Sequence, residues 1–139
     1  MADVFDTAKR SQVMARVRGR DTKPEMAVRR YLHARGLRFR LHRRDLPGRP
    51  DLVFPSRRVA VFVHGCFWHQ HPGCKRSKLP KTRADFWRQK LEGNVERDAA
   101  ALAALEADGW TALVVWECEV GPGALEALYE RLVGTPVRR

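Results

Sequence analysis

Three histidines and two cysteines lie within the segment His64 to Cys74, and this cluster constrains the fold more than any other feature. A third cysteine, Cys118, follows a later apolar run. Structural Zn²⁺ sites use four nitrogen and sulfur ligands in a tetrahedron, and one ligand often comes from a distant segment. A closed site of this kind would join the loop after one strand to the end of another. The candidate ligands are Cys66, His71, Cys74 and Cys118, with His69 as the alternative histidine.

The same residues allow a simpler interpretation, in which the cysteines are buried as small apolar side chains and the histidines face solvent. An odd number of cysteines cannot form a fully paired disulfide framework. Because the ligand types are so dense, we favour one structural zinc ion. A closed zinc site offers no open position for substrate, so catalysis requires other residues.

Apolar patterns around the cluster predict one α/β domain over residues 1–139, with a small mixed sheet flanked by helices. The run Val59 to Val63 is typical of a strand buried on both faces. The spacing of Thr22 and Glu25 is that of a helix-capping box. Further strands are predicted at 37–41, 51–54 and 111–116, and helices at 22–36, 82–91, 94–109 and 125–133.

Positive charge is concentrated in the first two thirds of the chain. Residues 1–90 carry 23 Lys and Arg against 7 Asp and Glu, whereas residues 91–139 carry 4 against 9. Arg accounts for 21 of the 27 basic residues, and its planar guanidinium suits phosphate and guanine. The asymmetry favours nucleic-acid binding over a solvated basic surface. The basic segment 1–20 predicts an amphipathic helix or a mobile arm.

No apolar run approaches the ~20 residues that span a bilayer. The N-terminus also lacks the basic and then apolar layout of a signal peptide. We therefore expect a cytoplasmic protein without a membrane partner.

Asp51 follows the turn 46–50 and begins a strand, and the next strand ends at His64. Antiparallel pairing would bring its carboxylate near residues 62–64. Such a carboxylate, beside a main-chain carbonyl and a phosphate, suits Mg²⁺, and His69 could accept a proton from water. Asp51 could equally be a turn residue. Glu25 could serve only its capping box, and Asp98 could be a solvated helix charge.

These motifs resemble the very-short-patch repair (Vsr) family of DNA mismatch endonucleases over nearly the whole chain. Arg20-Asp21-Thr22 and Glu25 match. The strongest blocks are Leu46-Pro-Gly-Arg-Pro-Asp51, His64-Gly-Cys-Phe-Trp-His69, Phe86-Trp87, Asn94-Val-Glu-Arg-Asp98 and Val115-Trp-Glu-Cys118.

The resemblance implies a core similar to that of the restriction endonucleases. It also implies an enzyme that nicks double-stranded DNA 5′ of the thymine in T:G mismatches, which arise when 5-methylcytosine deaminates. Asp51 would bind two Mg²⁺ ions, helped by the backbone carbonyl of Val63. His69 would act on the attacking water, His64 would support the phosphate, and Glu25 would hold metal-bound water.

The remaining matches concern the auxiliary acid, the zinc ligands and DNA contacts. Asp98 matches an acid of the family, and the four candidate zinc ligands match the family's structural site. A mismatched base pair is easier to unstack than a matched one, so an aromatic side chain can insert as a wedge between the bases there. The resemblance implies wedges at Phe67, Trp68 and Trp87, with Met14 in a segment (1–20) that clasps the DNA from the opposite groove. Burying both Phe67 and Trp68 in a loop of metal ligands would be difficult, which also favours exposure over the core.

Two other functions stay open. One is a zinc-stabilised DNA-binding module without catalysis, and the other is a restriction-type nuclease of the same fold with different specificity. A nickase that acts on one strand needs only a monomer, with mismatch-repair proteins and a repair polymerase as further partners.

Overall fold

The computed structural model describes residues 21–137 of the chain. The N-terminal segment 1–20, including Met14, therefore lies outside the described residues. Two short 3₁₀ turns, Pro55–Arg57 and Lys75–Ser77, occur in the described range. Its helices and strands are α1 (Lys23–Ala34), β1 (Arg40–Leu41), β2 (Leu52–Phe54), β3 (Val59–His64), α2 (Ala84–Ala107), β4 (Thr111–Trp116) and α3 (Pro122–Gly134).

The strands form one mixed sheet in the order β1-β2-β3-β4. β1 pairs antiparallel with β2, and β2 pairs antiparallel with β3. β3 and β4 are parallel, with His64 opposite Trp116 at their carboxyl ends. The predicted mixed sheet flanked by helices is confirmed. Likeness to the restriction-endonuclease core and a single domain over 1–139 stay predictions.

Apolar side chains cover both faces of the sheet, because successive residues of a strand point to opposite sides. Val59 and Val61 of β3 belong to a core with α1 and α3, which contribute Val28, Leu32, Leu125, Leu128 and Leu132. Ala60 and Phe62 face the other way and pack with Leu105 of α2. By the same alternation, His64 is directed to the α2 side. The sheet thus lies between two helical layers.

Helix α2 is continuous from Ala84 to Ala107, so the predicted break at Gly93-Asn94 is wrong. A glycine inside a helix costs about 1 kcal/mol, which burial of Leu91 and Leu105 on either side offsets. The predicted cap at Thr82 is also wrong. The helix begins after Arg83, which has φ 56° and makes no side-chain capping bond.

The turn before Asp51 depends on Gly48, which has φ +76°. A Cβ at this position would lie 2.7 Å from Cβ of Ala101 in α2. Glycine is therefore required for the turn to pack on this helix. The predicted strand 37–41 shortens to Arg40–Leu41, because β2 offers few residues for pairing and His42 leaves the extended conformation with φ 49°.

No helix within residues 21–137 is long and apolar enough to cross a membrane.

Candidate active site and metal centre

A cleft of about 750 Å³ opens where β3 and β4 end. It is lined by the start of α1, the turn before β2, the loop after β3 and one side of α2. The cleft brings together residues that are widely separated in the sequence. All the residues predicted to carry catalysis line it, namely Glu25, Asp51, Val63, His64, His69 and Asp98.

Asp51 is held at the edge of β3 by its own backbone and side chain. Its N–H donates to the carbonyl oxygen of Val61 at 3.0 Å, and its Oδ2 accepts from the N–H of Val63 at 2.7 Å. The predicted proximity of Asp51 to residues 62–64 is confirmed. Burial raises the pKa of the carboxyl to about 6, although the Val63 N–H opposes the shift, and the nearby Glu25 adds to it. No described Lys, Arg or His forms a salt bridge with Asp51.

His64 and His69 form a stacked pair, with ring centroids 3.8 Å apart and planes 4° from parallel. Nδ1 of His69 lies 2.6 Å from Oδ2 of Asp98 on α2. His64 is buried, and burial lowers its pKa to about 4, with the neighbouring His69 acting in the same direction. His64 is therefore neutral at physiological pH. The ligand atoms of these three residues lie within 4.8 Å of one another, close enough to hold a metal ion.

Glu25 is 1% exposed and has two sets of contacts. Its N–H donates to Oγ1 of Thr22 at 3.4 Å, and its Oε1 accepts from the N–H of Asp21 at 3.1 Å. These contacts are similar to a capping box. The carboxylate of Glu25, however, binds the N–H of Asp21, which precedes the N-cap Thr22, and not the N–H of Thr22 itself. Its Oε2 lies 2.8 Å from Nε2 of His42 and 3.4 Å from Arg29. Helix capping therefore explains the contacts of Oε1 and the N–H of Glu25, but not those of Oε2.

The four candidate zinc ligands form a second cluster beside the cleft. Their ligand atoms all lie within 4.8 Å of one another. Nδ1 of His71 is 3.6 Å from Sγ of Cys66 and 3.4 Å from Sγ of Cys118. A tetrahedral ion with Zn–S and Zn–N bonds of usual length has nitrogen–sulfur edges of about 3.6 Å. The donor set therefore fits zinc, and it contains His71 while His69 turns to Asp98.

Hydrogen bonds from outside the cluster fix its backbone. Oγ of Ser77 donates to the carbonyl oxygens of Cys66 at 3.0 Å and His71 at 2.7 Å. The N–H of Cys66 donates to Glu117 at 2.9 Å. Burial raises the pKa of the Cys66 thiol to about 12. A bound zinc ion is the kind of group that would hold this sulfur as a thiolate.

The aromatic residues after β3 pack with those at the start of α2. Trp87 lies 5.6 Å from Phe67 and 5.9 Å from Trp68, measured between ring centroids. Trp68 is only 6% exposed, so the predicted exposure of this ring is wrong, although the loop does not bury both Phe67 and Trp68. Helix α2 provides the cover, and Asn94 donates to the carbonyl oxygen of Trp68 at 3.0 Å. Phe67 and Trp87 are half-buried.

Comparisons with known proteins give the family to which the chain belongs. The family model for DNA mismatch endonuclease Vsr matches residues 2–76. A type II nicking enzyme of Xanthomonas oryzae pv. oryzae is 56% identical over 128 residues, covering 91% of this chain and 93% of that protein. The chain belongs to the Vsr family. The DNA mismatch endonuclease Vsr of Escherichia coli is 47% identical over 135 residues, covering 95% of this chain and 86% of its own length.

A further Vsr-family relative, a type II nicking enzyme of Neisseria meningitidis, is 42% identical over 120 residues, covering 86% of this chain and 85% of its own. As a Vsr-family member the protein is a DNA endonuclease. The predicted resemblance is confirmed.

Sequence patterns missed several residues that shape the site of this Vsr-family protein. His42 contacts Glu25, but it follows the predicted strand 37–41 and no sequence pattern gave it a role. Trp116 stacks on His71 at 4.3 Å and meets the ring of His64 edge-on at 5.3 Å. Glu117 binds the backbone of Cys66. The position of Trp116 and Glu117 immediately before Cys118 was the available signal.

Proposed function

We propose that this protein nicks double-stranded DNA 5′ of the thymine in T:G mismatches, which arise when 5-methylcytosine deaminates, by Mg²⁺-dependent hydrolysis of the phosphodiester bond. One observation carries the proposal: the half-buried carboxylate of Asp51 forms no salt bridge with a described residue and lies in the same cleft as a His–His–Asp group. Membership of the Vsr family supports the mismatch substrate.

The surroundings of Asp51 fit a divalent cation. One carboxylate oxygen accepts from the Val63 N–H, and the pKa of Asp51 stays raised by burial because that bond and the nearby His42 and His69 compensate its charge only in part. Magnesium prefers hard oxygen ligands and keeps several waters, so one carboxylate, the carbonyl of Val63 and a DNA phosphate are a suitable set. Bound there, two Mg²⁺ ions would offset the negative charge that develops on the phosphate group.

His69 is suited to accept the proton of the attacking water. The Asp98 carboxylate can only accept a hydrogen bond, so it holds the proton of His69 on Nδ1. The lone pair of Nε2 is then available to the water. The water oxygen forms a bond to phosphorus, its proton passes to Nε2, and the phosphorus–oxygen bond to the leaving sugar oxygen breaks.

His64 and Glu25 assist from opposite sides of the cleft. A neutral His64 can donate one N–H to a phosphate oxygen without requiring protonation. Its ring is held between His69 and Trp116, which limits its rotation. Glu25, close enough to Asp51 to raise its pKa, would hold water of the cation's hydration shell.

We assign selection of the mismatch to the aromatic cluster of Phe67, Trp68 and Trp87 and to the basic residues of the first two thirds of the chain. The half-buried rings of Phe67 and Trp87 would enter the base stack, while the buried Trp68 supports them. Unstacking is least costly at a mismatched base, which gives the wedge its preference. The basic segment 1–20 with Met14 would clasp the opposite groove. We further propose one structural zinc ion, a monomer, and action on bacterial nucleoid DNA with mismatch-repair proteins and a repair polymerase.

The test is a strand-specific nicking assay on short end-labelled duplexes with Mg²⁺, analysed on a denaturing gel. One duplex carries T:G in a CT(A/T)GG context, a second is the matched C:G site, and a third carries T:G in unrelated sequence. We expect a nick 5′ of the mismatched thymine that is abolished by EDTA and by Asp51→Asn. Asp108→Asn, an exposed carboxylate after α2, is the matched control and should keep full activity.

Other outcomes would overturn the proposal in recognisable ways. Cleavage of the matched duplex would assign the protein to restriction. Binding of every duplex without cleavage would favour a zinc-stabilised DNA-binding module. Unchanged cleavage by Asp51→Asn would remove Asp51 from the mechanism.

A further inference from the structure

His42 connects two acidic residues of the cleft, Glu25 and Asp51, through its side chain and its backbone. Its N–H donates to the carbonyl oxygen of Asp51 at 3.1 Å, directly after the last paired residue of β1. Its Nε2 lies 2.8 Å from Oε2 of Glu25 on α1. One residue therefore spans the gap between the segment that carries Asp51 and the helix that carries Glu25.

The backbone of His42 has an uncommon conformation that makes this link possible. Its φ of 49° is in the left-handed region, which residues other than glycine rarely adopt. Such conformations persist where surrounding contacts demand them, and they concentrate at functional sites. Here the turn ends the pairing of β1 with β2 and allows the imidazole to reach Glu25.

His42 makes the shortest contact with Oε2 of Glu25 among the described residues. Arg29 lies 3.4 Å from the same oxygen but only 2.6 Å from Oδ1 of Asp21, so it mainly neutralises Asp21. Oε1 of Glu25 is bound by the N–H of Asp21. The ligand atoms of Asp21, Glu25 and His42 lie within 4.8 Å of one another, but the guanidinium of Arg29 already supplies the positive charge.

We propose that His42 is a positioning residue of the active site, which fixes the Glu25 carboxylate relative to Asp51 by donating a hydrogen bond from Nε2. The inference rests on the proposed function, in which these two acids serve the catalytic cation. Two nearby carboxylates repel each other, and without His42 the longer Arg29 contact at 3.4 Å is the remaining described side-chain donor on Oε2, so the Glu25 carboxylate would be held less firmly. The backbone bond to Asp51 ties the position of that donor to the cation site itself.

Two substitutions separate this role from a general contribution to folding. In His42→Gln the amide nitrogen reaches about as far as Nε2 and keeps a donor, whereas His42→Asn is too short. Asparagine tolerates positive φ better than most residues, so backbone strain alone would favour His42→Asn. A loss of activity confined to His42→Asn therefore cannot come from backbone strain. His33→Asn, an exposed histidine on α1, is the control.

We would measure single-turnover nicking at saturating T:G duplex across a range of Mg²⁺ concentrations, and Mg²⁺ binding to the DNA-free protein by calorimetry. Residues that orient metal-site groups usually contribute 10–100-fold to affinity or activity, so His42→Asn should weaken Mg²⁺ affinity by about that factor. His42→Gln should recover most of the loss. In a Glu25→Gln background, His42→Asn should have no further effect.

The proposal is overturned if His42→Asn lowers only the melting temperature and leaves the Mg²⁺ dependence unchanged. It is also overturned if His42→Gln and His42→Asn are equally impaired. If the wild-type protein does not nick any duplex, the proposed function fails, and the difference in Mg²⁺ affinity between the two variants still decides the role of His42.

Discussion

His69 and Asp98 are joined by a contact of 2.6 Å between Nδ1 and Oδ2, across the gap between the loop after β3 and helix α2. Because a carboxylate accepts but does not donate, Asp98 fixes which nitrogen of His69 carries the proton. We expect Asp98→Asn to slow nicking by about 10²–10⁴-fold, the usual contribution of a general base. The reason is that the amide can donate to Nδ1 and favour the wrong tautomer. Single-turnover rates measure this effect.

Asp98→Ala distinguishes the tautomer argument from simple loss of charge. It removes the acceptor without offering a donor, so its rate should fall less than that of Asp98→Asn. A larger loss for Asp98→Ala than for Asp98→Asn would contradict the argument. Asp108→Asn again serves as the unaffected control.

The zinc cluster predicts a stability that depends on metal. Freshly purified protein should contain about one equivalent of zinc, measured by elemental analysis. His71→Ala and Cys118→Ser should lose the metal and melt at a lower temperature, because binding free energy at a closed site is also folding free energy. His33→Ala should retain both metal and stability. Metal-free protein with an unchanged melting curve would reject the site.

The charged carboxylate of Asp51 is expected to lower the stability of the metal-free protein at neutral pH. Its pKa is raised from 3.8 to about 6 in the folded protein, so the folded state holds this proton more tightly than the unfolded chain. The resulting stability is present below about pH 4 and is lost as the pH rises through about 6. In chelator at neutral pH, Asp51→Asn should therefore be more stable than wild type, by on the order of 1–3 kcal/mol.

Urea unfolding at pH values below and above this range measures the effect. The gain from Asp51→Asn should be absent in acid, and Mg²⁺ should stabilise only the wild-type protein. A variant that is less stable than wild type at neutral pH would show that the carboxylate is not under electrostatic strain.

The half-buried rings of Phe67 and Trp87 are expected to strengthen binding of mismatched DNA more than binding of matched DNA. Stacking of a base on an aromatic side chain is worth about 1–3 kcal/mol, so Phe67→Ala and Trp87→Ala should each weaken binding of the T:G duplex by about 5–150-fold. Matched DNA should be affected less, since it resists unstacking. Fluorescence anisotropy at fixed salt in EDTA gives these affinities. Trp110→Phe, at the far end of the β3–β4 pair, is the control.

Local chemistry made part of this structure predictable. The uninterrupted apolar run of β3 indicated a central strand, and the Thr22–Glu25 spacing indicated the start of α1. The His and Cys residues are so close in sequence that their grouping required little knowledge of the fold. The pairing of β2 with β3 then brought Asp51 to Val63 as expected.

The parts that could not be predicted depend on contacts between distant segments. Gly93 and Asn94 are locally typical of a helix end, but Asn94 instead binds the backbone at Trp68. The burial of Trp68 depends on the same packing of α2. His42 reaches Glu25 only because its backbone turns to positive φ, which a basic alternating segment does not indicate.

The parallel pairing of β3 with β4 has a kinetic consequence. Val59 pairs with Thr111, so the sheet closes only after a connection of some fifty residues has been organised. Closure of long connections is entropically costly and slows folding. The cysteines and histidine after β3 precede most of this connection, and Cys118 follows β4, so a zinc ion bound by all four closes a loop that contains both the connection and β4. Zinc captured early would hold the carboxyl ends of β3 and β4 together, so metal supply during synthesis is expected to set how fast newly made chains reach the native state.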